Sequence, residues 1–184
     1  NIDYSKEYAN NSSLIAGSHS TLIMDDIDNA IGENPLFKHH SYNQYVYVGY
    51  GGSFKQLRYN ASIGMEGIWA KAGEASYSYF RPRGNVSMTW IVNKHNSVRL
   101  SYQLTNMAPN VAYLNPYNTS TDSLFVSLGN PNLKPQMTHY ASMSYTLNVG
   151  KLYFIPTVGY KYVSDVIENY GYSDGGIYYS TYAN

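Results

Sequence analysis

Apolar and polar residues alternate with a period of two along most of this chain, which predicts β-strands with one apolar and one polar face. The clearest run puts Leu57, Tyr59, Ala61, Ile63, Met65 and Trp69 on one side and Arg58, Asn60, Ser62, Gly64 and Glu66 on the other. A one-residue slip would exchange those faces, so the register should be firmly specified. Similar runs predict strands at Ser12 to Met24, Tyr42 to Tyr50, Val86 to Val92, Val98 to Leu104, Tyr140 to Leu147, Leu152 to Tyr162 and Ile177 to Tyr182. Pro156 lacks an amide donor and predicts a bulge or an unpaired position in its strand. Tight turns are expected at Gly51-Gly52-Ser53, where glycine accepts positive φ, and at Asn93 to Asn96 and Asn148 to Lys151, and the Asp174-Gly175-Gly176 segment precedes the last strand. Longer connections are expected from Asp25 through Pro35 to His39-His40, from Lys71 to Arg83, and between Leu104 and Tyr140. The fold class expected is all-β. It is an antiparallel up-and-down meander of about eight strands of about ten residues, in one unit over residues 1–184 without a dividing linker.

Short turns alternate with long, aromatic-rich loops, as in a membrane β-barrel with one plain and one elaborated rim. Alternation by itself also fits a soluble β-sandwich. Composition bears on the choice. Only 13% of residues are charged, against about a quarter in a soluble domain, and 22 are tyrosines, whose rings and polar tips suit interfaces with water. The formal net charge of zero gives no general attraction to nucleic acid. Cysteine is absent, which excludes disulfides, thiolate metal sites and a cysteine nucleophile. No apolar stretch is long enough for a transmembrane helix. The chain starts at Asn1 rather than methionine and is read as part of a longer precursor.

Candidate chemistry is sparse. Asp25, Asp26 and Asp28 could offer oxygen ligands to calcium, but lack the glycine and glutamate of an EF-hand loop. His39 and His40 are adjacent and would face opposite sides of a strand. No Gly-x-Ser-x-Gly element or nucleotide fingerprint is present, and Glu66 and Glu74 have no supporting context as an acid pair. The expectation is no enzyme, no cofactor and no metal. Tyr77, Tyr79 and Phe80 in one expected loop, and Tyr113, Tyr117 and Phe125 in another, could stack on a ligand. They could equally pack the loops together or form an interfacial girdle.

One ordered series of motifs is more specific. Phe80-Arg81-Pro82 is expected to open a strand, and Lys94-His95-Asn96 leads into Arg99-Leu100-Ser101-Tyr102. Pro109, Leu114-Asn115-Pro116 and Gly129-Asn130-Pro131-Asn132-Leu133-Lys134-Pro135 follow. The series resembles the barrel of TonB-dependent outer-membrane receptors, particularly the outer-membrane β-barrel family abundant in Bacteroidetes-type bacteria. Looser patterning extends the likeness from Tyr42 to Tyr170, and the first forty or so residues match poorly. Gln136 stands where the family usually has an acidic residue. Physically, Pro131 and Pro135 preset φ and Gly129 and Asn130 tolerate turns, so Gly129 to Pro135 can return a long loop to the wall rather than hold a ligand.

The resemblance implies part of a receptor barrel in the bacterial outer membrane that imports a nutrient such as a glycan, peptide or metal chelate. Its partners would be outer-membrane lipid, an unidentified small ligand and, through a plug and coupling segment lying elsewhere, the TonB system. Leu57, Tyr59, Ile63, Met65, Val98, Leu100, Tyr102, Leu152, Phe154 and Val158 would face lipid. Arg58, Asn60, Glu66, Arg99, Ser101 and Gln103 would face the lumen. An isolated piece with open sheet edges would tend to self-associate. The alternatives are a soluble glycan-binding sandwich, and a porin-like outer-membrane protein without energy coupling.

Overall fold

The computed structural model describes residues 1–9, 11–27 and 37–184. Asp28 and Pro35 lie outside them. Nearly everything described is β. The wall is a single sheet in which β1 (Ile2–Tyr8), β2 (Ser12–Ile27), β3 (Phe37–Phe54), β4 (Leu57–Ala72), β5 (Ala75–Asn93) and β6 (Asn96–Met107) pair in order. It continues through β8 (Gln136–Val149) to β10 (Thr157–Ser164), with β9 (Leu152–Phe154) also on β8. All these pairings are antiparallel. The connection between β6 and β8 carries a short helix, α1 (Val111–Leu114), and a three-residue strand, β7 (Phe125–Ser127). The hairpin of β11 (Glu168–Asp174) and β12 (Ile177–Ala183) forms a second sheet with β7, which β12 joins in parallel.

The wall is one sheet rather than two packed ones, so the sandwich expectation fails. Residues paired across a ladder share a face, and that fixes every strand's orientation from one. Tyr59 shares its row with Gly52, Met88, Leu100, Met143 and Val158. All the residues expected on the apolar side fall on this face, and Arg58, Asn60, Glu66, Arg99, Ser101 and Gln103 fall on the other. The apolar face is bare: Ile63 is 67% and Val158 77% exposed. Exposed apolar surface on this scale demands a covering.

Aromatic rings border that face. Trp69 packs on Tyr42 and Phe80, with centroids 5.8 and 5.3 Å away. Tyr50, Tyr59, Trp90 and Tyr145 sit toward the opposite strand ends. From Tyr59 to Trp69 is about ten residues, or about 34 Å along the strand. A tilt of about 40° reduces this to about 26 Å, near the height of the apolar band of a transmembrane barrel.

Four local expectations change. The strands are longer than expected, with 18 residues in β3 and 19 in β5, because pairing continues past the apolar band. Gly51 and Gly52 lie inside β3, and the turn falls at Lys55, which takes a φ of 52°. The glycines instead make room across the ladder, since a Cβ would come within 3.0 Å of Asn60 at Gly51 and of Tyr59 at Gly52. Lys71 to Arg83 is no long loop. Gly73, at φ 61°, turns the chain with Glu74 alone, and Tyr77, Tyr79 and Phe80 belong to β5. Phe80-Arg81-Pro82 therefore lies within a strand. Pro82 is tolerated because the β5–β6 ladder begins only at Gly84, so no neighbour needs its missing amide. At Pro156 the strand assignment lapses between β9 and β10 without a change of register, so there is no bulge, and the Pro156 carbonyl still accepts from Tyr145 N at 3.1 Å.

A wall with solvent or lipid on each face has little interior. The densest core lies beyond the aromatic row, where Phe37, Ala72, Leu114 and Leu133 are buried together.

Candidate functional site

The polar face of β2 to β8 encloses a groove of about 690 Å³. Glu66, 5% exposed, sits within it. Its Oε1 accepts from Asn43 Nδ2 at 2.7 Å, its Oε2 accepts from Asn106 Nδ2 at 3.0 Å, and Arg83 lies 3.6 Å away. The Arg83 guanidinium also covers the Tyr45 ring at 4.9 Å. Tyr45 stacks on Tyr47 at 5.3 Å, and the Tyr47 hydroxyl donates to Asp3, which also contacts His19. Small hydroxyl and amide groups continue the lining: Ser101 bonds Ser142 at 2.7 Å, and Ser62 donates to Asn85. The result is a wetted wall of rings, amides and paired charges, suited to passing contacts with a polar solute.

Replacing Glu66 by alanine should destabilise the protein by about 1–3 kcal/mol, because two amides and Arg83 lose their acceptor at once. A lower thermal midpoint in detergent checks this; an unchanged midpoint would mean water replaces the carboxylate at no cost.

The aromatic candidates do not converge. Tyr77 and Tyr79 are half-buried on the inner face, 5.3 Å from each other. Tyr77 belongs to the part of β5 beyond Phe80, outside the apolar band, and burial pushes its phenol up to about 12. Its hydroxyl lies 3.5 Å from Nε2 of the buried His39. The Tyr79 hydroxyl donates to the Leu133 carbonyl. Phe80 points the opposite way, into the outward aromatic row. Tyr113 stacks on Tyr182 at 4.3 Å, Tyr117 meets Phe37 edge-on, and Phe125 stacks on Tyr178. These rings join loops, strands and the small sheet, as the loop-packing alternative expects.

Gly129 to Pro135 is engaged through its backbone. Gly129 N donates to Asn115 O and Asn130 N to Tyr113 O, both at 2.6 Å. The Asn130 side chain donates to Tyr182 O, and Lys134 exchanges two bonds with the Asn184 side chain. Leu133 and Pro135 are fully buried. A Cβ on Gly129 would lie 2.5 Å from the Asn115 and Tyr113 carbonyl oxygens. Gly129→Ala should therefore unseat the loop, costing more than about 1 kcal/mol; limited proteolysis should cut residues 108–135 faster than in the wild type. Equal protection would refute this.

The remaining candidates are dispersed. Asp25 lies 3.5 Å from His39, Asp26 stands across the ladder from Lys38, and His40 faces away from His39. The face of Glu66 was legible beforehand; its junction with Asn43, Arg83 and Asn106 was not. Tyr45 and Tyr47 were also missed, although their alternation with Val46 and Val48 carries the signal.

The family model described as "Outer membrane protein beta-barrel family" matches residues 1–184, including the first forty or so that showed little likeness to the motif series. No curated protein matches the chain.

Proposed function

Because this chain belongs to the outer membrane protein beta-barrel family and so resides in the bacterial outer membrane, we propose that it forms barrel wall of a TonB-dependent receptor importing a scarce nutrient. The carrying observation is the polar groove around Glu66, backed by a bare apolar face of bilayer height. The ordered motifs from Phe80 to Pro135 support the receptor reading by resemblance. The apolar face lies against outer-membrane lipid, and the groove face lines the solute path. The solute meets the inner rings and amides rather than the loop aromatics, since Tyr77, Tyr113 and Tyr117 already pack the loop core.

Among the described residues β1 and β10 are each paired on one side only. Hydrocarbon leaves no unpaired backbone group satisfied, so further strands or a second copy complete these edges in the bilayer. Uptake in the native bacterium tests the function. Deleting the gene and deleting the TonB system should abolish accumulation of the same radiolabelled nutrient. Uptake that needs the gene but survives TonB loss would replace this reading with the uncoupled, porin-like one.

A further inference from the structure

The outward face carries a second pattern just above its aromatic row. Reading across β2 to β5, Leu22, Tyr42, Trp69 and Ser78 share one row. The next row toward the strand ends holds Met24, His40, Lys71 and Ser76. Directly opposed residues have Cβ atoms about 4.5–5.5 Å apart, so an ammonium, an imidazole and a hydroxyl stand side by side above two aromatic rings. A groove of about 500 Å³ runs along both rows. His40, Lys71, Ser76 and Ser78 are exposed, and among the described residues no carboxylate pairs with Lys71 or His40. Lys38, one row further out, faces Asp26 and stands apart.

The end of the wall is identifiable, because the long 108–135 connection emerges here and the two-residue turns at Lys55-Gln56 and Gly150-Lys151 lie at the other end. Long loops mark the external side of an outer-membrane barrel. Aromatic rows mark the interface, so a cation one row beyond sits at headgroup depth. We propose that Lys71, His40 and Ser76 bind the phosphate of an outer-leaflet lipid headgroup, while Tyr42, Trp69 and Leu22 hold the start of its acyl chains. Charge complementarity selects phosphate over a neutral headgroup, and the apolar lower half of the groove selects a lipid over free phosphate. This rests on the outward face meeting lipid, and not on transport.

The test uses the full-length protein in detergent, with native mass spectrometry to count bound lipid A in phosphorylated and dephosphorylated forms. The wild type should retain the phosphorylated form about fivefold better, the effect of one cation at a charged lipid surface. Lys71→Gln with His40→Gln should abolish the preference, and Lys151→Gln at the opposite rim should leave it intact. Equal retention of both forms by the wild type, or a preference surviving in the double variant, overturns the site. Both tryptophans, Trp69 and Trp90, lie on the outward face, so bilayers with brominated acyl chains should quench their fluorescence. Quenching without headgroup preference would refute the site alone. No quenching would refute the lipid-facing orientation together with it.

Discussion

Ile63→Arg is expected to prevent most of the protein from reaching its folded form in the outer membrane. Ile63 lies about midway between the Tyr59 and Trp69 rows, on the outward face, and is 67% exposed. A charge at the midplane of a barrel's lipid face costs about 2–4 kcal/mol, a large share of a domain's usual stability. The comparison is Gln103→Arg, which adds the same side chain to the exposed, wet inner face and should shift stability by no more than about 0.5 kcal/mol. Unheated gel migration of extracted outer membranes measures the folded fraction of each. If both variants fold as the wild type does, or both fail alike, the two faces are not lipid and water.

A second large effect is expected in the external loop. Leu133 is fully buried with Phe37, Ala72 and Leu114. Truncating such a leucine to alanine costs about 2–5 kcal/mol, with the spread set by how far the site collapses. The loss should stay local, because Leu114 and Leu133 belong to the 108–135 connection, Phe37 and Ala72 are only the end rungs of β3 and β4, and regions open as separate units. Hydrogen exchange at Gly129 and Asn130, whose amides bond Asn115 and Tyr113, should quicken by at least about thirtyfold, the equivalent of about 2 kcal/mol. Amides in the β4–β6 ladders should keep their rates. Acceleration throughout the ladder would show that loop and wall open as one; no acceleration would show that Leu133 holds nothing in place.

The effects are unequal in kind. Ile63 matters through the solvent it meets, whereas Leu133 matters through its neighbours. That difference also divides what was legible in the chain. The face of Ile63 follows from period-two alternation, and every wall residue assigned that way falls on the expected side. Alternation is local, and a register slip would reverse it, so a few residues are enough to specify it. The turn at Gly150 was equally readable, since its positive φ favours glycine at that position. The ordered motifs carried the family likeness.

Other features depended on partners distant in sequence. Gly51 and Gly52 read as a turn, yet they serve Asn60 and Tyr59 across the ladder, while Lys55 takes the strained conformation. Tyr77, Tyr79 and Phe80 read as a loop because their neighbours are small and polar, but pairing with β4 draws them into strand. The rings of Tyr113 and Tyr117 could bind or pack, and only Tyr182 and Phe37, far along the chain, decide that they pack. The junction at Glu66 likewise gathers Asn43, Arg83 and Asn106 from three other strands. The sequence alone determined which side of each wall strand is apolar, because that information is carried by successive residues. Tertiary structure alone decided where strands end, which aromatics are consumed in packing and which charges meet, because each depends on a ladder register or a loop closure between distant segments.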